Sequence, residues 1–143
     1  MTASIAACRC FDLLEKLRVF GPGVRLAHVH FDEFNATCEG KEVDDLVPGQ
    51  RWRPDAWDAT HRIWVDFLGN EYHGYPPGAK RRKGTRERNF FGELYTDLYD
   101  QTMARLRYVR DCGPANVQVY YVWEHEWRKA RTLGDVYKAV HAV

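Results

Sequence analysis

Two aspartates and a histidine raise the first chemical question. In RPDAWDATHRIWVDFLGNEYHGYP, residues 53–76, Asp55 and Asp66 stand eleven residues apart and His73 follows seven residues after the second. The flanking segments QRWRPDAW and HRIWVDFL read as two strands joined at Asp58-Ala59-Thr60, whose length and residue types suit a hairpin. A tight hairpin of this spacing brings Asp55 and Asp66 level on neighbouring strands ~5 Å apart. Side chains alternate along a strand, so Ile63, Val65 and Phe67 point one way, and Trp64, Asp66 and Leu68 the other. Asp66 thus lies on an otherwise apolar face, where an ionised carboxylate needs an arginine, a lysine or a metal ion beside it. Two hard oxygen ligands with room for water suit Mg²⁺ or Mn²⁺. Such an ion polarises a phosphoryl oxygen, supplies hydroxide and steadies a leaving oxygen, which is the chemistry of phosphodiester hydrolysis. A plainer account fits the same residues: Asp55 after Pro54 forms a turn, Asp66 pairs with Arg53, Arg62 or His61, and His73 is a hydrogen-bonded structural imidazole.

The elements that would position these residues follow from periodicity. Residues 4–19 carry apolar side chains at helical spacing, and Phe20-Gly-Pro-Gly23 stops that helix. Residues 24–31 alternate like a strand, and residues 35–50 form a long polar loop holding Glu39, Glu42, Asp44 and Asp45. After the hairpin, residues 75–89 read as a loop by their Pro-Pro-Gly and their charge. Between Gly92 and Asp111, Leu94, Tyr95, Leu98, Tyr99, Thr102, Leu106 and Val109 trace one helical face. A strand over 116–124 and a closing helix interrupted near Gly134 complete the chain. The order predicts an α/β fold, a small central mixed β-sheet flanked by helices, built as a single domain over residues 1–143.

Composition narrows the class. Hydrophobic residues make up 45% and aromatics 14%, enough to build a core. No apolar run approaches a membrane span, and Asp12, Glu15, Lys16 and Arg18 interrupt the stretch where a signal peptide would lie. The expectation is a soluble intracellular protein, cytoplasmic or nuclear, not secreted and with no membrane partner. Four cysteines without a secretion signal predict reduced thiols, and the Cys8-x-Cys10 spacing, a weak zinc motif, reads as thiols buried on a helix.

Pro54-Asp55 followed by Asp66, Gly69, Tyr72, His73, Gly74 and Pro76 resembles the PD-(D/E)XK, or restriction-endonuclease-like, nuclease superfamily. Within it, the pattern is similar to the branch of very-short-patch-repair and related homing-type endonucleases. The likeness spans roughly residues 50–128, and includes the helix, glycine turn and strand ending in Trp123-Glu124. The resemblance implies a Mg²⁺-dependent endodeoxyribonuclease in which Asp55 and Asp66 hold the ion with the backbone carbonyl of Phe67. It also places His73 where a histidine activates water or protonates the leaving group, a task suited to an imidazole titrating near neutrality. An acid on the first helix belongs to the pattern as well; Glu15 fits that place, with Glu33 and Glu39 as alternatives. The motif lysine is missing, because Leu68 occupies its position. Asn70 stands where a zinc-binding cysteine would follow the glycine, so no structural zinc is expected.

The net charge of +1 gives no general attraction to a polyanion, so any DNA contact depends on local clustering. Lys80, Arg81, Arg82, Lys83, Arg86 and Arg88 supply it, against the single acid Glu87. Placed directly after the acidic site, they suit phosphate neutralisation on a DNA partner. Arg105, Arg107 and Arg110 either extend that surface or pair with Asp97, Asp100 and Asp111. The alternative to catalysis is a nuclease-fold DNA-binding or accessory module, and a homodimer is compatible with either reading.

Overall fold

The computed structural model describes residues 4–28, 30–32, 37–39, 46–79 and 86–143. Helix α1, Ile5–Lys16, starts where Ser4 Oγ accepts the Ala7 N–H at 3.1 Å. The stretch expected as one strand is two: β1, Ala27–His28, and β2, His30–Asp32, which belong to different sheets. Part of the expected loop forms β3, Thr37–Glu39, antiparallel to β2. Strands β4, Ala56–Asp58, and β5, Ile63–Leu68, make the expected antiparallel hairpin, with Ala56 opposite Val65 and Trp57 opposite Trp64.

Between β5 and the long helix lies an element that periodicity did not reveal, the single-turn helix α2, Asn70–His73. Helix α3, Tyr95–Cys112, then carries the chain back to β6, Gln118–Trp123, which runs parallel to β5. The closing helix is two, α4, Glu124–Lys129, and α5, Leu133–Ala139. The break falls before Thr132, whose side chain caps α5 in a capping box with Asp135, so Gly134 sits inside a helix. Strand β7, Val140–Ala142, ends the chain antiparallel to β6.

The result is a mixed α/β architecture around a five-stranded sheet in the order β1-β4-β5-β6-β7, flanked by helices. Alternation along β5 divides the core as expected. Ile63, Val65 and Phe67 pack with Phe11 and Leu14 of α1 and Val136 of α5 on one face. Trp64 and Leu68 pack with Met103, Leu106 and Val109 of α3 on the other, beside Trp57 and Trp123. Asp66 shares this second face, so its carboxylate looks toward α3. Among the described residues no helix is long and apolar enough to cross a membrane.

Candidate functional site

Continuing the β4–β5 register by one residue places Asp55 opposite Asp66. Each aspartate accepts a backbone N–H from the other strand: Asp55 N donates to Asp66 Oδ1 at 3.1 Å, and Phe67 N donates to Asp55 Oδ2 at 2.8 Å. This reciprocal lock extends the hairpin beyond its regular ladder and fixes both carboxylates at the end of the β4–β5 pair nearest α2. Asp66 Oδ1 also accepts the Trp64 indole N–H at 3.0 Å. Asp66 is only 3% exposed.

The positive partner of Asp66 is neither Arg53, Arg62 nor His61. It is Arg105 of α3, with Nη2 at 3.3 Å from Asp66 Oδ2. A side chain expected on the α3 surface or beside Asp97, Asp100 or Asp111 thus reaches back into the site; Arg110 does pair with Asp111, at 2.9 Å. Burial pushes the Asp66 carboxyl above its ordinary value, although Arg105, the Asp55 N–H and the Trp64 N–H all pull it down. Two aspartates on adjacent strands beside the Phe67 main chain fit the hard-oxygen chemistry and small ligand number of Mg²⁺ or Mn²⁺. Among the described residues no group of three or more His, Cys, Asp or Glu side chains gathers to hold a metal. A cation on Asp66 would take the place of the Arg105 guanidinium.

His73, the last residue of α2, joins the site through α3. Its Nδ1 lies 2.9 Å from Thr102 Oγ1, a buried hydroxyl one helical turn before Arg105. Trp52, Tyr72, His73, Gln101, Thr102 and Arg105 line a cleft of about 280 Å³. Burial, reinforced by the Arg105 charge, lowers the His73 imidazole to about 4 from its ordinary 6.5. It is neutral at neutral pH, with its lone pair open to a proton, but burial makes it a weaker base than the imidazole titrating near neutrality that the sequence predicts, and it holds no proton to give a leaving group there. Arg105 thus links Asp66 and His73.

Comparison with known protein families, curated proteins and solved structures finds no match. The site is therefore read from its own contacts, and α2 organises most of them. Glu71 Oε2 accepts the Tyr95 hydroxyl at 2.9 Å, while its Oε1 accepts the Phe90 N–H and lies 3.7 Å from Arg86. Buried Asn89 donates to the Glu71 carbonyl at 2.9 Å and accepts from the N–H groups of Phe91 and Glu93. These bonds shape the segment that presents Phe90 and Phe91, 79% and 69% exposed, with Arg86 3.7 Å from the Phe90 ring centre. Exposed Tyr72 meets Phe91 at 6.3 Å between ring centres. Gly74, at φ +75°, ends α2 against α3; a Cβ there would stand 2.1 Å from the Tyr95 carbonyl oxygen. Its place in the motif has a steric cause.

Not every expected residue comes to the site. Glu15 lies on α1, across the sheet, where its Oε2 accepts the Leu26 N–H at 3.1 Å and its Oε1 lies 3.8 Å from Arg25. It braces the approach to β1 and is separated from Asp66 by the sheet itself. Glu124 pairs with Arg128 at 3.1 Å. Arg86 and Arg88 are exposed, Arg88 donating to the Gly92 carbonyl at 2.8 Å. Lys80, Arg81, Arg82 and Lys83, and the alternative acid Glu33, lie outside the described residues. Glu39 ends β3 in the separate two-stranded sheet. Leu68, in the place of the motif lysine, is fully buried in the α3-side core. Thr102, Phe90 and Phe91 come to the site through tertiary contacts that no local spacing announces, whereas Arg105, expected on the α3 surface, turns inward to Asp66.

Proposed function

We propose that this domain is a metal-dependent DNA endonuclease of the restriction-endonuclease-like kind, with Asp55 and Asp66 as its acidic centre and His73 as its base. The observation that carries the reading is the reciprocal lock of Asp55 and Asp66, joined through Arg105 to a cleft that His73 lines. The element order supports it too: a mixed sheet between helices, with Asp66 on the central strand β5 and Asp55 directly before its neighbour β4.

A divalent ion bound by Asp55, Asp66 and the Phe67 carbonyl would polarise a phosphoryl oxygen and acidify water. The remaining work falls to the chain. With its Nδ1 protonated toward Thr102 Oγ1, 2.9 Å away, His73 would keep the Nε2 lone pair for a proton from the attacking water. Water oxygen bonds to phosphorus as the bond to the leaving sugar oxygen breaks, and that oxygen takes its proton from solvent water. Arg105, 30% exposed in its side chain, can turn from Asp66 to a non-bridging phosphate oxygen. Arg86 and Arg88 meet flanking phosphates, while Tyr72, Phe90 and Phe91 offer faces to unstacked bases.

Supercoiled-plasmid nicking tests the reading: the wild type should nick with Mg²⁺ or Mn²⁺, stop with EDTA, and lose activity as His73→Ala. Absence of metal-dependent nicking on supercoiled, linear and single-stranded DNA alike would refute it. The Arg105–Asp66 contact favours a second reading, a DNA-binding module on the same fold without hydrolysis, because the guanidinium already compensates the acid. That module would bind DNA and take up no Mn²⁺.

A further inference from the structure

We propose that Asn70 and His125 form a brace that positions His73, so that His125 is a positioning residue for the reaction although it lies outside the cleft. The inference rests on the nuclease reading for its catalytic consequence, but its structural content stands apart.

A single helical turn does not hold its shape alone, because nucleation costs more than one turn of hydrogen bonds returns. Helix α2 is held from outside, and the Asn70 side chain supplies the innermost tie. Its Nδ2 donates to the Gly74 carbonyl at 2.9 Å, closing α2, and also meets His125 Nδ1 at 2.8 Å. Its Oδ1 accepts the His125 N–H at 3.1 Å. Both amide protons and the amide oxygen are engaged, and the residue is buried. Asn70 thus joins the first turns of α2 and α4, the helices that follow the parallel strands β5 and β6. His73 sits three residues beyond Asn70 and one before Gly74, inside the loop closed by the Asn70–Gly74 bond.

The geometry also fixes a proton. Asn70 Nδ2 is a donor, so His125 Nδ1 must be the acceptor and Nε2 must carry hydrogen. Protonating His125 would set two donors against each other and open the brace. The groups around His125 are Glu124, Glu126 and Lys129 of α4, His141 of β7, and the Tyr75 and Trp123 rings. Burial, with Lys129 and His141, outweighs the two glutamates and holds His125 below its ordinary value, which keeps the brace closed at neutral pH.

The experiment uses the full chain, ¹⁵N-labelled at histidine, as wild type, His125→Ala and His125→Asn; the asparagine can restore an acceptor near the Nδ1 position. His125→Ala should change the His73 ring signals and tautomer ratio and lower nicking kcat by about 10-fold to 100-fold with KM little changed. His125→Asn should restore both. Wild-type acidification offers a measurement independent of any variant: His73 signals should move in step with His125 protonation as well as with their own. If wild type does not nick, the nuclease reading falls while the ring spectra still decide the brace. Unchanged His73 signals in His125→Ala and through the His125 titration would overturn it.

Discussion

The β4–β5 hairpin carries a buried aspartate at each end, and the two are used differently. Asp58 and Asp66 are both 3% exposed. At the turn, Asp58 accepts the backbone N–H groups of Arg25 at 2.6 Å and His61 at 2.7 Å, with the His61 ring also at 3.2 Å. Burial alone would push its carboxyl up, but these donors outweigh it and leave Asp58 below its ordinary value. At the opposite end, Asp66 takes one backbone N–H, one indole N–H and a partly buried guanidinium, and burial wins. A carboxylate surrounded by fixed amides completes a turn. One that relies on a movable arginine beside a cleft retains the capacity to exchange partners.

The largest expected effect separates the two ends by activity. Asp55→Ala or Asp66→Asn should lower Mg²⁺-dependent plasmid nicking by about 1,000-fold or more, whereas Asp58→Asn should leave kcat near wild type. Urea unfolding should reverse the ranking. Asp58→Asn loses charge-assisted bonds to two backbone donors and should cost about 1–3 kcal/mol. In Asp66→Asn an amide oxygen still accepts the Asp55 and Trp64 N–H groups and Arg105 is released to solvent, so its loss should be smaller.

Acid sharpens the contrast because the two shifts have opposite signs. Asp58, lowered, contributes stability present above the ordinary carboxylate value and lost as pH falls through its folded value. Asp66, raised, binds its proton earlier in the folded chain, so acidification relieves its burial cost. Between about pH 5 and pH 3, Asp58→Asn should therefore lose less stability than wild type and Asp66→Asn more. His73, lowered to about 4, contributes stability that is complete above its ordinary 6.5 and lost as pH falls toward 4. Its nicking profile should stay flat through neutrality down to that acid limb, and Arg105→Gln should move the limb to higher pH. Away from the hairpin, Phe91→Ala should weaken single-stranded DNA binding by about 1 kcal/mol, the low end for one stacked base, with little change in unfolding, since the ring is mostly exposed.

What could be read in advance was what depends on local period. The alternation of β5, the pairing of Asp55 with Asp66 and the buried face of α3 all follow from neighbours within a strand or a few helical turns. Helix α2 has one turn and β7 three residues, too short for either period to register. The strand expected over 24–31 divides between two sheets, a choice made by pairing with β3 and β4. Glu15 has suitable chemistry on a suitable helix, yet α1 packs on the sheet face opposite Asp66. Arg105 reaches Asp66 across 39 residues of chain, a pairing that no spacing rule specifies.

Mn²⁺ titration of wild type, Asp58→Asn and Asp66→Asn, followed by calorimetry and by the paramagnetic signal of free Mn²⁺, tests the central claim most directly. Saturable uptake by wild type and Asp58→Asn, abolished in Asp66→Asn, is the expected result. No uptake by wild type, or equal uptake by Asp66→Asn, would contradict the assignment of a metal centre to Asp55 and Asp66.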